Sequence, residues 1–212
     1  MVVAVVAVLT VHNLAGNLLA PARYYVPGNL AVAAVVLGLA RAAGASGEEL
    51  GMSPAALPGG LAVGLAGAGV VLAALALAAA GARTRPLLAD GRMAGVGARG
   101  TAYRALVRIP LGTVALEEVA FRGALPALAG PVVACALFGL WHVVPTVAAL
   151  DANGMARSSL LVAGAVLFTA AAGGVLYGLA AATGSLLAPA LVHLAANSGA
   201  TVAAYRVLRR PD

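Results

Sequence analysis

Two adjacent carboxylates, Glu117 and Glu118, lie in a stretch that could carry out acid–base chemistry. Arg122 follows Glu118 at the i, i+4 spacing, which puts an acid and a base on one face of a helix. Glu117 has no basic residue three or four positions later, and its side chain points about 100° away around the helix. Glu117 is therefore free to meet another helix and to act as a general base. The alternative is a structural ion pair beside one Glu that reaches toward the membrane surface.

His193 and Asn197 form a second polar pair, again four residues apart and on one helical face. Together they can direct hydrogen-bond donors at one point, which suits an oxyanion pocket. The same spacing suits half of a metal site. Polar contacts that only join two helices are the third interpretation.

His142 follows Trp141 directly, and Phe138 precedes it by one helical turn. A single membrane His usually bonds a neighbouring helix, but here one Glu, two His and one Asn stand on three separate apolar stretches. Such groups can converge only in the core of a bundle, where they can activate a water and stabilise an oxyanion. The chain has no His-Glu-x-x-His motif and no Gly-x-Ser-x-Gly motif.

The composition indicates a protein embedded in the lipid bilayer. Of the 212 residues, 62% are hydrophobic and 9% charged, and the mean hydropathy is +1.00, whereas soluble domains are about half apolar and a quarter charged. A chain of this size cannot bury so much apolar surface in water, which excludes a soluble enzyme, a nucleic-acid-binding protein and a disordered chain. The thirteen basic residues are all Arg and cluster between apolar stretches, as in membrane proteins.

Seven stretches approach the roughly 20 residues that a helix needs to cross a membrane. The predicted fold is an all-α polytopic transmembrane bundle of about seven spans, near 2–20, 25–41, 59–80, 103–125, 131–150, 159–182 and 186–207. The fourth holds five charged residues, which favours a spanning helix with its polar face inward; an interfacial helix is the alternative. Apart from Arg41 and Arg122, every Arg then lies on one side of the membrane, which predicts a cytoplasmic C-terminus. The Arg-only, Ala-rich composition suggests a bacterial gene and hence an integral protein of a bacterial plasma membrane.

The order of the three polar motifs resembles the CPBP (Abi) family. The motifs are Glu117-Glu118-x-x-x-Arg122, Phe138-x-x-x-His142 and His193-x-x-x-Asn197. That family joins CAAX prenyl proteases of the Rce1 type with bacteriocin-processing and immunity membrane proteins. The flanking segments EEVAFRG, FGLWH and TGSLLAPALVHLAANS are also similar to it. The resemblance covers about residues 101–207, so we divide the chain into 1–100, with three spans and an Arg-rich loop, and a catalytic core over 101–212.

The resemblance implies an intramembrane endopeptidase of the glutamate type that cleaves a membrane-associated protein or peptide. It makes Glu117 the base, gives His142 the holding and polarising of the water, and makes His193 and Asn197 the oxyanion pocket. The supporting residues would be Glu118, Arg122 and Phe138. Members are often called metalloproteases, but Glu, His, His and Asn form a poor zinc set; we expect no cofactor, with zinc left open.

Two other functions stay open for the same residues. A non-catalytic bacteriocin-immunity or scaffold protein would share the fold, although it would have less need of Glu117. A proton-coupled transporter would also use buried Glu and His, but the sequence shows no inverted repeat. His12, Asn13 and Asn17 lie outside the motifs, and we expect them to form hydrogen bonds within the bundle.

Overall fold

A computed structural model describes residues 1–209, and over this range the chain consists of helices and connecting segments, without β-strands. The helices are α1 (Val2–Leu18), α2 (Tyr25–Ala42), α3 (Leu57–Ala80), α4 (98–129), α5 (Pro131–Trp141), α6 (Val143–Ala152), α7 (Ser159–Thr183) and α8 (Leu187–Val207). The predicted all-α bundle is confirmed. Between α7 and α8 the chain turns at Gly184, whose φ of +64° is the left-handed conformation that often ends a helix.

Five helical segments are long and apolar enough to cross a membrane: Ala22–Ala42, Pro54–Ala80, Pro131–Ala152, Ser159–Thr183 and Leu187–Val207. The chain is therefore a polytopic integral membrane protein. The other two predicted spans are helical as well, but α1 has only 17 residues and α4 carries the charges of the polar motif. The segment Pro131–Ala152 bends at His142, where α5 ends and α6 begins.

The helix α4 runs through the middle of the bundle, and much of it is π-helical. The π-helical parts are Arg104–Val114 and Val119–Ala124, on either side of the α-helical turn Ala115–Glu118. The N–H of Ala115 accordingly bonds the carbonyl of Pro110, five residues back. A π-helix is rare and occurs mainly at functional sites. A π-helix has a wider turn than an α-helix. The side chains that share one face of α4 therefore differ from those expected for a regular α-helix.

Small residues let the helices that carry the polar motifs approach each other. A Cβ added to Gly64 of α3 would lie 3.0 Å from the Cα of Ala188, and one added to Gly139 of α5 would lie 2.6 Å from a carbonyl oxygen of α7. Gly173 of α7 similarly faces the Phe138 ring. Such contacts are the usual basis of helix packing in lipid. They fix α8, which carries His193, and α5, which carries Phe138.

Candidate active site

The helices α4 and α8 bring five polar side chains into one cluster in the bundle core. Four of them are almost fully buried, with exposed fractions of 6% for Glu117, 2% for Glu118, 3% for Arg122 and 7% for His193; the fifth, Asn197, is half-buried. Burial of ionisable groups is costly unless they are paired. At membrane depth such groups usually mark a functional site.

Glu118 joins the two helices through a short contact. Its Oε1 lies 2.7 Å from Nδ1 of His193 and 3.4 Å from Nη1 of Arg122. The ion pair within α4 has the spacing predicted from the sequence, whereas the bond to His193 links residues 75 positions apart. Because a carboxylate only accepts hydrogen bonds, Nδ1 of His193 is the donor, and Nε2 is left to face the remaining polar groups.

Glu117 has one tethered oxygen and one without a hydrogen-bond partner. Its Oε1 accepts a hydrogen bond of 3.0 Å from Nε1 of Trp141. Its Oε2 is buried, has no hydrogen bond within residues 1–209 and lies 3.6 Å from Nε2 of His193. The same Nε2 lies 3.0 Å from Nδ2 of Asn197. The untethered oxygen therefore stands beside the His193–Asn197 pair.

The ring of Phe138 packs against the basic side chains of all three motifs. The guanidinium carbon of Arg122 lies 3.9 Å from the ring centroid, a cation–π distance. The His142 and His193 rings stand edge-to-face with it, at centroid distances of 4.6 and 6.3 Å. Phe138 thus holds the motif residues of α4, α5 and α8 against one apolar surface.

His142 lies near this cluster but has no hydrogen bond to another motif side chain in the described part of the chain. Its Nδ1 lies 2.8 Å from the carbonyl oxygen of Phe138. A carbonyl only accepts, so Nδ1 carries the hydrogen and Nε2 keeps its lone pair. His142 lines a cavity of about 330 Å³ with Arg92, whereas Glu117 lines a different one. Pro145 belongs to the walls of both cavities.

The cavity at Glu117 has a volume of about 400 Å³ and is walled by polar residues of α1, α2 and α4 that the three motifs do not include. They include His12, Asn13, Tyr25, Asn29, Arg108 and Thr113. The hydrogen bonds predicted for the three polar residues of α1 are confirmed: His12 bonds Asn29 at 2.6 Å, and Asn13 donates to the carbonyl of Trp141 at 2.8 Å. Asn17 donates to Oδ1 of Asn13 at 2.9 Å, within the same helix. Their grouping at one end of α1 was the sequence signal for this polar wall.

The polar cluster lies in a segment that matches a known protein family. Residues 100–199 match the family model described as type II CAAX prenyl endopeptidase Rce1-like. The match supports assigning this segment, just under half of the chain, to the Rce1-like family. No curated protein and no solved structure matches the chain.

The Rce1-like segment extends from the start of α4 into α8 and includes every residue of the three motifs. Together with the membrane-crossing helices, it supports an endopeptidase function of the CAAX type inside the membrane. The cavity at Glu117 nevertheless depends on α1 and α2, which precede the Rce1-like segment.

Proposed function

We propose that the chain hydrolyses a peptide bond of a membrane-associated protein or peptide, with Glu117 as the general base. The observation that carries this proposal is the state of the Glu117 carboxylate. One of its oxygens is fixed by Trp141, the other is buried and lacks a hydrogen bond within residues 1–209, and the residue lines a cavity of about 400 Å³. A positioned base with one free oxygen can take a proton from a water within hydrogen-bond reach.

In the proposed reaction the water binds at Oε2 of Glu117. Glu117 removes one proton as the water oxygen attacks the peptide carbonyl carbon, which forms a tetrahedral oxyanion. The C–N bond then breaks, and Glu117 returns the proton to the leaving amine. One peptide bond and one water give one carboxylic acid and one amine, and no oxidant, reductant or other reactant is consumed.

The oxyanion pocket in this proposal consists of His193 and Asn197. The amide of Asn197 carries two hydrogens, of which one bonds Nε2 of His193 and the other is left for the oxyanion. When Nε2 of His193 carries a proton, it no longer accepts from Asn197 and becomes a second donor to the oxyanion, while the carboxylate of Glu118 accepts from Nδ1. Donors that are already oriented before the reaction account for a large part of catalysis in such sites.

We assign the other motif residues supporting roles. Arg122 compensates the charge of Glu118, and Phe138 packs against both Arg122 and the two His rings. His142 would accept a hydrogen bond from water through Nε2, because its Nδ1 hydrogen is committed to the Phe138 carbonyl. This role requires water to connect the two cavities that meet at Pro145.

The reaction as written needs no metal ion. Within residues 1–209 no three His, Cys, Asp or Glu side chains are grouped so that they could hold a metal ion, whereas a catalytic zinc site usually has three protein ligands. We therefore propose that a strong chelator leaves activity unchanged. Loss of activity with chelator, restored by zinc, would instead make Glu117 and His193 metal ligands.

The decisive experiment compares Glu117→Gln with Glu48→Gln in the purified protein in lipid nanodiscs. Glu48 is an exposed carboxylate outside the membrane-crossing helices, so the second variant makes the same chemical change away from the site. The probes are a prenylated CAAX peptide and the same peptide without the prenyl group. We expect Glu117→Gln to lower kcat by about 10²–10⁴-fold, the usual contribution of a general base, and Glu48→Gln to leave it unchanged.

The outcomes separate the candidate functions. Full activity of Glu117→Gln would refute Glu117 as the base. If the folded wild-type protein cleaves neither peptide while a known CAAX protease cleaves the prenylated one, the non-catalytic immunity or scaffold function gains support. Cleavage of both peptides would show that prenylation is not required.

A further inference from the structure

We propose that Arg108 binds a carboxylate of the peptide substrate and so determines which peptides enter the Glu117 cavity. The inference builds on the proposed hydrolysis, but it concerns recognition and makes a prediction about binding that does not need turnover. The ligand is a carboxylate near the scissile bond, either the free C-terminus of the peptide or an Asp or Glu side chain. Arg108 lies outside the three motifs of the site.

Arg108 has no ion-pair partner in the described part of the chain. It lines the same cavity as Glu117, and it is half-buried. Charged groups at membrane depth usually have a partner or mark a substrate pathway. A cation without a counterion in a peptide-sized cavity calls for an anion from the ligand.

The Arg108 side chain is oriented by its contact with the Tyr25 ring. Its guanidinium carbon lies 3.9 Å above the centroid of the Tyr25 ring. The ring is held from two sides, since the Tyr25 hydroxyl bonds Oγ1 of Thr113 at 2.9 Å, and Gly112 allows close contact: a Cβ there would lie 2.7 Å from the ring. Stacking covers the flat face of the guanidinium and leaves the N–H groups at its edge available for a bidentate carboxylate.

The π-helical winding of α4 brings Arg108 and Glu117 to the same cavity. Arg108 and Glu117 are nine residues apart, which in a regular α-helix is two and a half turns and places them on opposite faces. The segment Arg104–Val114 is π-helical and has more residues per turn. Nine residues are then closer to about two whole turns, and both side chains reach one cavity. The unusual winding thus pairs a base with an anion-binding group.

The distance between the two groups limits the ligand. Nine residues of helix extend over no more than about 13 Å, and an extended peptide rises about 3.3 Å per residue. A carboxylate on Arg108 therefore lies within about four residues of a peptide bond at Glu117. This spacing gives the positions at which an acidic group should matter in a probe peptide.

The test uses one prenylated CAAX peptide with three different ends: a free carboxylate, a carboxamide, and a carboxamide in which the last residue is Glu. Trp141 is the only Trp in the chain and lines the cavity, so its fluorescence reports binding without turnover. The variants are Arg108→Gln, Arg108→Lys and the control Arg99→Gln. Arg99 is exposed and lies on the same helix outside the cavity.

We expect the wild-type protein to bind the free carboxylate about 10- to 100-fold more tightly than the plain carboxamide, the range for a hydrogen bond to a charged group. Arg108→Gln should raise Kd and KM for the carboxylate peptide by that factor, remove the discrimination, and change kcat little. Arg108→Lys should keep part of the discrimination because Lys retains the positive charge. It should lose the rest because Lys cannot form the bidentate contact. Arg99→Gln should behave like the wild type.

The results distinguish this inference from the proposed catalysis. Activity of Glu117→Gln would refute the catalytic proposal and leave the carboxylate preference of Arg108 measurable by fluorescence. Tight binding of the Glu-ending carboxamide would identify a side-chain carboxylate as a ligand, and weak binding would identify the terminal carboxylate; both depend on Arg108. Equal or undetectable binding of all three peptides by wild-type protein would overturn the inference. Unchanged discrimination between the carboxylate and carboxamide peptides in Arg108→Gln would overturn it as well. Failure of this inference and failure of the catalytic proposal can therefore be told apart.

Discussion

Removal of the charge on Glu118 should destabilise the protein because it leaves Arg122 without a counterion in the bundle core. The side chain of Arg122 is 0% exposed and that of Glu118 3% exposed. The substitution Glu118→Gln keeps the size of the side chain and keeps an acceptor oxygen for Nδ1 of His193. The variant therefore isolates the loss of the charge from the loss of the link between α4 and α8.

The expected cost follows from the geometry of the pair. Breaking a buried ion pair by removing one partner costs about 3–5 kcal/mol. The distance of 3.4 Å between Arg122 and Glu118 exceeds the roughly 2.7–2.9 Å of a strong charged hydrogen bond, which favours the lower end. We expect a loss of about 3 kcal/mol in the free energy of unfolding, or roughly a hundredfold change in the unfolding equilibrium.

The assay is reversible unfolding by SDS in mixed micelles, followed by Trp141 fluorescence and far-UV circular dichroism. The double variant Glu118→Gln/Arg122→Met removes both charges and keeps an apolar side chain against Phe138. Replacing both members of a buried pair is often close to neutral, so it should recover most of the lost stability. Glu48→Gln on the surface should stay within about 0.5 kcal/mol of the wild type.

Two results would refute this reasoning. If Glu118→Gln unfolds like Glu48→Gln, the pair contributes no net stability and Arg122 is satisfied in another way. If the double variant is less stable than Glu118→Gln alone, Arg122 stabilises the core through its contact with Phe138 and not through its ion pair with Glu118.

Three further predictions rest on single contacts. Trp141→Phe removes the hydrogen bond that fixes Glu117, so kcat/KM in the peptide assay should fall by about 10- to 100-fold; an unchanged value would mean that the bond does not position the base. Gly139→Ala places a methyl group 2.6 Å from a carbonyl oxygen of α7, which should cost about 1–3 kcal/mol in SDS unfolding; equal stability would show that the helices separate freely. Hydrogen bonds from the Ser46 amide and hydroxyl lower the pKa of Glu49. This stabilisation is present above the ordinary pKa and is lost as the pH falls through the lowered one. The protection factor of the Ser46 amide, which is its exchange rate relative to that of an unprotected amide at the same pH, should therefore fall only below the ordinary Glu pKa.

The membrane helices could be predicted from the sequence because hydrophobicity is a local property. Each apolar stretch identified between charged residues is helical, and the turn at Gly184 lies between the predicted spans 159–182 and 186–207. The number of clear spans was harder to predict. The helix α4 combines an apolar centre with five charged residues, so composition alone assigns it neither to the membrane nor to its surface.

The polar pairs within one helix also followed from the sequence. Glu118 pairs with Arg122, and His193 contacts Asn197, since a helix returns to the same face after about four residues. The Rce1-like segment contains all of these residues. The order of the motifs in the sequence is therefore sufficient to carry the resemblance.

Contacts between helices depended on the tertiary structure. The bonds from Trp141 to Glu117 and from His193 to Glu118 join residues 24 and 75 positions apart, and no periodicity within one helix encodes them. The placement of His142 and Glu117 in different cavities, and the sharing of one cavity by Arg108 and Glu117, likewise depend on how the helices pack and how α4 is wound. Sequence patterns fix which face of a helix a side chain occupies, whereas close packing at small residues such as Gly64 and Gly139 decides which faces meet.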